Sequence, residues 1–136
     1  MADLVVDTDV VSYGLRQDRR FTDFYGPAMQ GSRLVISFMT VAELKFGALS
    51  AGWGEKRLIE LQEYLGQHYI RYFPTEATCD AWAELVSNAK SQGRILKGAD
   101  AWIAATALVL SVPLVTHNAK DFDYLPKLNI ISLRNP

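Results

Sequence analysis

Short runs of aliphatic and β-branched residues alternate with helical-period segments from one end of the chain to the other, an order that few architectures accept. Leu4-Val5-Val6 reads as a buried strand, and Asp7-Thr8-Asp9 ends it, with Thr8 or Asp9 placed to cap the next helix. Helical character at residues 21–25 is followed by a strand at 34–37, then by a helix at 40–49 that Gly52-Trp53-Gly54 breaks. Residues 55–66 carry Leu58, Leu61 and Leu65 at helical spacing, and 69–73 form a strand that Pro74 closes. A helix spans 75–91 with Gly93 as its stop, and 100–110 is apolar almost all round, the mark of a helix buried on most sides. Strands at 113–116 and 128–131 complete the pattern. The fold class expected is α/β, a three-layer α/β/α sandwich whose mostly parallel central sheet has about five strands. No repeat or linker divides it, so residues 1–136 read as a single domain.

Four acidic residues stand beside these apolar elements: Asp7 after the first strand, Glu43 in Thr40-Val41-Ala42-Glu43-Leu44, Asp100 opening the apolar helix, and Asp121 near the end. No two are sequence neighbours, so only folding can unite them. In an open α/β sheet the carboxyl ends of the strands and the adjoining helices converge on one crevice. Carboxylates gathered there repel one another, and either protons or a cation must compensate them. Oxygen-only ligands favour a hard ion, Mg²⁺ or Mn²⁺, which directs attention to phosphate chemistry.

Each acid also has an ordinary reading. Asp7 could cap a helix, Thr40-x-x-Glu43 matches a capping box, Asp100 would gain from the helix dipole, and Asp121 follows Asn118 in a turn. Taken jointly and in this order, the coincidence favours a site. Asp9 and Asp123 are expected to cap helices or face solvent, Trp102 and Phe122 to pack in the core, and His68 to be structural or exposed.

A net charge of −1 does not advertise nucleic-acid binding, yet with the four acids set aside the remaining chain is net positive. Arg16, Arg19 and Arg20 form one basic group, and Lys90, Arg94 and Lys97 form another that leads into Asp100. A single cysteine, Cys79, excludes an intramolecular disulfide and a thiolate metal cage and suits a reducing compartment. No apolar run approaches the length of a membrane span and the N-terminus lacks a signal pattern, so a cytoplasmic, soluble protein with no membrane partner is expected.

Val5-Val6-Asp7-Thr8-Asp9-Val10-Val11-Ser12, Thr40-Val41-Ala42-Glu43-Leu44, Gly98-Ala99-Asp100-Ala101-Trp102-Ile103-Ala104-Ala105-Thr106-Ala107 and Val115-Thr116-His117-Asn118-Ala119-Lys120-Asp121-Phe122 together resemble the PIN-domain ribonucleases. In size and motif wording the chain is similar to a VapC-type toxin of a toxin–antitoxin pair. That resemblance implies a Mg²⁺- or Mn²⁺-dependent endoribonuclease whose catalytic set falls on Asp7, Glu43, Asp100 and Asp121, with Asp7 and Asp100 as principal metal ligands. Thr116 and Asn118 would be polar accessories on the substrate side, and His117 stands where relatives frequently have arginine. Phosphate contacts are expected from Arg94 and Lys97. The resemblance further implies an RNA substrate, a small VapB-like antitoxin whose tail occupies the acidic groove, and a homodimer, with residues 21–25 and 53–64 as candidate interfaces. Two rivals remain at this stage. Asp7-Thr8-Asp9-Val10-Val11 also spells the opening of a haloacid-dehalogenase-type phosphatase, with Asp7 as nucleophile and Asp9 as acid, and a noncatalytic RNA-binding or scaffold module would keep the fold without chemistry.

Overall fold

A computed structural model describes residues 2–133 and places strand β1 (Asp3–Val6) at the centre of a five-stranded sheet. β2 (Arg33–Ser37) lies on one side of it and β4 (Leu114–Val115) on the other. Outside them are β3 (Ile70–Tyr72) and β5 (Ile130–Ile131), giving the order β3-β2-β1-β4-β5 with every pairing parallel. The chain steps outward from β1 to β2 and β3, then returns to the far side of β1 for β4. The order therefore reverses between β1 and β4, and a crevice opens at their carboxyl ends.

Six helices cover the sheet: α1 (Thr8–Leu15), α2 (Gly26–Met29), α3 (Phe38–Ser50), α4 (Glu55–His68), α5 (Glu76–Ser91) and α6 (Gly98–Leu110). Successive strand side chains point to opposite faces, and both faces are buried here. Leu4, Val6, Ile36 and Val115 pack with Val10, Val11, Leu61 and Leu65 from the helices of the first half. Val5, Val35 and Leu114 pack instead with Leu85, Ile103, Ala104 and Phe122 on the α5 and α6 side. The expected three-layer sandwich is thus present, with α6 buried along most of its length.

Local chemistry explains the element ends. Asp7 caps α1 and Ser37 caps α3, each accepting from a nearby backbone N–H. Gly93 takes a φ of +73° just past α5, a left-handed stop that glycine adopts without strain. Residues 21–25 wind as one π-helical turn that runs directly into α2 and leaves Tyr25 with no exposure. Phe21 and Phe24 pack against the same core while Thr22 and Asp23 are exposed, so the aromatic side chains of this segment serve packing within the monomer. Among the described residues no helix is long and apolar enough to cross a membrane.

Candidate active site

As the N-cap of α1, Asp7 leaves β1 with its carboxylate over the strand's carboxyl end. One oxygen, Oδ1, accepts from the backbone N–H of Thr8 at 2.8 Å, and Oδ2 accepts from the Thr116 hydroxyl at 2.7 Å. Thr116 follows β4, which neighbours β1 in the sheet, and this is why residues 109 positions apart meet. Thr116 has no exposed surface and accepts in turn from the Asn118 backbone N–H. It is not the substrate contact expected from the sequence: its hydroxyl fixes Asp7. Replacing it by valine conserves shape and removes that bond, and outer-shell losses of this kind cost about 10- to 100-fold in metal affinity or activity. Thr116→Val should therefore weaken Mn²⁺ binding by that order in calorimetric titration while the fold persists.

Asp9 does more than the sequence reading gave it. Expected to cap a helix or face solvent, it accepts at Oδ1 from the Val10 backbone N–H at 2.7 Å in the first turn of α1, and at Oδ2 from the His117 backbone N–H at 3.2 Å and from Asn118 Nδ2 at 3.0 Å. The loop leaving β4 crosses the start of α1 and turns these donors toward it, a tertiary contact that local pattern does not disclose. The motif Asp7-Thr8-Asp9 did hold a signal, since both acids lie at the strand-to-helix junction over the crevice. Thr8 is a second residue that sequence reasoning passed over. Its hydroxyl donates to Glu43 Oε1 at 2.7 Å and lies 3.0 Å from Thr40 Oγ1. Glu43 is thereby turned toward α1 and is not part of a capping box: α3 starts at Phe38 with Ser37 as its cap, which puts Thr40 inside the helix.

Asp7, Asp9, Glu43, Asp100 and Asn118 line one groove of about 630 Å³. Leu44, Ala48, Trp53 and Leu61 line it with apolar surface, and Arg16 also borders it. Asp121 is not in this groove. It sits exposed on a 3₁₀ turn, Ala119–Asp121, because the next residue, Phe122, is buried on the α5 and α6 side and draws the turn with it. Asp100 borders both the groove and a neighbouring cavity of about 260 Å³, which it shares with Asp121, Arg94 and Lys97. The two spaces adjoin at Asp100, whose carboxyl feels the charges of Asp7, Asp121 and Glu43.

Among the described residues the ion pairs are Arg19–Asp23, Arg20–Asp18 and Arg33–Asp3, and none reaches a site carboxylate. Burial, followed by the charge of Asp9, pushes Asp7 up to about 7 against the lowering effect of its bonds from Thr116 and Thr8. Burial, followed by the charges of Asp7, Asp121 and Glu43, raises Asp100 to about 6, with Lys97 partly opposing. Asp9 is raised as well, chiefly by burial. Among the described residues no three His, Cys, Asp or Glu side chains gather closely enough to cage an ion outright. A hard divalent ion does not need such a cage, because it keeps several waters and takes one or two carboxylates. An all-oxygen donor set with buried, uncompensated charge fits it.

His117 turns its ring away from this chemistry. Its Nδ1 lies 2.8 Å from the Tyr25 hydroxyl, and the ring packs edge-on against Tyr13 and Tyr25. Tyr25 also accepts from the Leu133 backbone N–H, so the β4 exit loop is pinned to the C-terminal segment. Trp102 stacks on Trp82 and meets Phe38 edge-on, and Phe122 is buried.

The PIN domain family model matches residues 4–128. Ribonuclease VapC1 of Haemophilus influenzae strain R2866 is 30% identical over 125 residues, covering 91% of this chain and 92% of that protein. The solved VapBC-1 from nontypeable Haemophilus influenzae superposes with a TM-score of 0.79 at 27% identity, covering 97% of this chain and 98% of the other. VapBC2 from Rickettsia felis, bound to a DNA fragment from its promoter, has the same fold at a TM-score of 0.85 and 20% identity, with 97% and 99% covered.

Proposed function

The chain belongs to the PIN domain family, and from that premise we propose that it is a divalent-metal-dependent endoribonuclease acting as the toxin of a toxin–antitoxin pair. The observation that carries this reading is the acidic crevice at β1 and β4, where Asp7 is pushed up by burial and the charge of Asp9, Asp100 by burial and the charge of Asp7, and no ion pair reaches either among the described residues. Such a site is costly unless a cation occupies it.

Asp7 and Asp100 would hold the ion, Mg²⁺ or Mn²⁺, and Glu43 would approach it through water. When bound, the ion supplies a Lewis-acid charge that polarises a phosphodiester and makes water a better nucleophile. The chain's own residues do the positioning. Thr8 and Thr116 fix both oxygens of Asp7, and Thr8 aims Glu43 across the groove. Glu43 and Asp9 provide carboxylates to orient a water, while Asn118, bonded to Asp9, closes the β4 side. Asp121 would act from the neighbouring cavity, which it lines together with Asp100. Arg94 and Lys97 on that side would take phosphate oxygens of the RNA.

The 630 Å³ groove is lined by acidic side chains and by apolar ones. A small antitoxin tail with a cationic residue followed by apolar ones complements both, and by resemblance we assign it there. The resemblance also favours a homodimer, which sedimentation would read directly. Of the interface segments expected at 53–64, Trp53 lines the groove beneath the Arg57 guanidinium, 3.9 Å from the ring centroid, while Ile59 is exposed.

The phosphatase reading would use Asp7 as nucleophile, but the family match points elsewhere. Asp9→Asn would not separate the two readings, because Asp9 lines the groove in either case. A pure scaffold has no use for repelling carboxylates. The deciding experiment incubates total cellular RNA with the purified protein in Mn²⁺ or in EDTA and maps new 5′ ends. Discrete cuts are expected only with metal, and none in either condition from folded, inhibitor-free protein would refute the nuclease.

A further inference from the structure

Beside the acidic groove lies a space in which basic side chains outnumber acidic ones. The 260 Å³ cavity that Asp100 and Asp121 line is also lined by Arg94, Lys97, Lys120 and Tyr124. These residues come from two separate places, the segment between α5 and α6 and the stretch that follows β4. Arg94, Lys97 and Lys120 are all exposed, and none makes an ion pair within 4 Å among the described residues. Arg94 is nevertheless not loose: its guanidinium carbon lies 4.2 Å from the centroid of the Tyr124 ring. A cation stacked on an aromatic face keeps the edges of its planar fork free for bidentate bonds. Phosphate is the ligand that such a fork and two ammonium groups recognise.

Resting on the nuclease reading above, we infer that this cavity is a second phosphate subsite, which holds the RNA phosphate next to the one being cut. Its position supports that role. Asp100 is common to both spaces, so a strand crossing the acidic groove at Asp100 must pass into the basic cavity or leave over open surface. The charge division supports it too. The scissile phosphate needs a cation among carboxylates, whereas a flanking phosphate needs fixed positive charge, and Arg94, Lys97 and Lys120 outnumber Asp100 and Asp121 in this cavity. Lys120 and Tyr124 thereby gain roles that the motifs did not give them: Lys120 contacts the flanking phosphate, and Tyr124 is a positioning residue that holds Arg94 flat. Cleavage would then require nucleotides beyond the scissile bond on that side.

The test is made in the Asp100→Asn background, which binds without cutting, with a fluorescein-labelled single-stranded RNA dodecamer read by anisotropy across a salt series. Arg94→Ala and Lys120→Ala should each weaken binding about tenfold, and each should flatten the plot of log affinity against log salt by about 0.7, the share of one phosphate on a single strand. Tyr124→Leu should weaken binding, and Tyr124→Phe, which keeps the ring, should restore it. In the otherwise wild-type protein, the loss from Arg94→Ala should fall on KM rather than on kcat, as for a contact already made in the ground state. Parent-like affinity and salt slope in an Arg94→Ala/Lys120→Ala double variant would overturn the subsite and leave the nuclease standing. A loss confined to kcat would overturn it as well, by moving the contact to the scissile phosphate. Absence of metal-dependent cleavage by the wild-type protein would remove the nuclease reading and the subsite with it.

Discussion

Asp7→Asn should abolish RNA cleavage, by about 10³-fold or more, and at the same time make the metal-free protein more stable at pH 8. Loss of activity follows from loss of charge. Asparagine keeps an oxygen for the Thr8 backbone N–H and presents an amide to the Thr116 hydroxyl, so the cap and the strand exit survive. It does not offer an anionic oxygen to a divalent ion. Gain of stability follows from the same change, because at pH 8 the wild-type protein keeps Asp7 ionised while 6% exposed and beside Asp9. With the group pushed from 3.8 up to about 7, removing that charge should yield on the order of 2 kcal/mol, or about 5 °C in melting temperature. Cleavage assays and metal-free thermal melts on one preparation check both halves. A variant that loses activity and also melts earlier would show that Asp7 serves the fold, and full activity would sink its assignment to the site.

Raising the pH should destabilise the metal-free protein across the range in which most proteins are indifferent to it. The native state holds protons on Asp7 and Asp100 until about pH 7 and 6, whereas the unfolded chain releases them near 3.8. Between those limits the native state binds more protons, so stability is greatest below the unfolded value and is lost as pH rises through the folded values. Asp18 does not disguise the trend. Its pKa is held well below the ordinary carboxylate range by hydrogen bonds from Arg20, so its contribution is constant above pH 5 and is lost only as pH falls into the strongly acid range. Melting temperature without metal should fall by several degrees from pH 5 to pH 8. Saturating Mn²⁺ should recover the loss at pH 8, since an ion that binds only the native state stabilises it by mass action. A flat profile, or no response to Mn²⁺, would mean that the carboxylates are compensated by some other means.

The strands and helices were legible because each carries its own period. Val5 and Val35 alternate with Leu4, Val6 and Ile36 between the two faces of the sheet, and the uniform apolarity of α6 declares its burial. The positions of the acids were legible as punctuation at element ends. What each acid touches was not. Asp9 acquires its partners from a loop 108 residues away, and Thr116 surrenders its hydroxyl to a carboxylate 109 residues away, so neither role exists in a local window. Asp121 was legible as an acid but not in its placement. Its side chain follows the burial of Phe122, and which layer that ring would join depends on the packing of α5 and α6 rather than on anything near residue 121. Glu43 was ambiguous for a different reason: a capping box and a mid-helix glutamate share one spelling, and only the start of α3 at Phe38 separates them.

The pairing of β1 with β4 has a consequence for the order of events at the ribosome. β1 is synthesised first, but its neighbour on one side, and the hydroxyl that fixes Asp7, arrive more than 100 residues later. An unfinished chain can build the β1–β2–β3 half-sheet and still lack an assembled catalytic centre. For a protein proposed to damage the RNA of the cell that makes it, this parallel, long-range topology acts as a delay: the nascent chain stays harmless until its last quarter has emerged and folded, the interval in which an inhibitor must already be present.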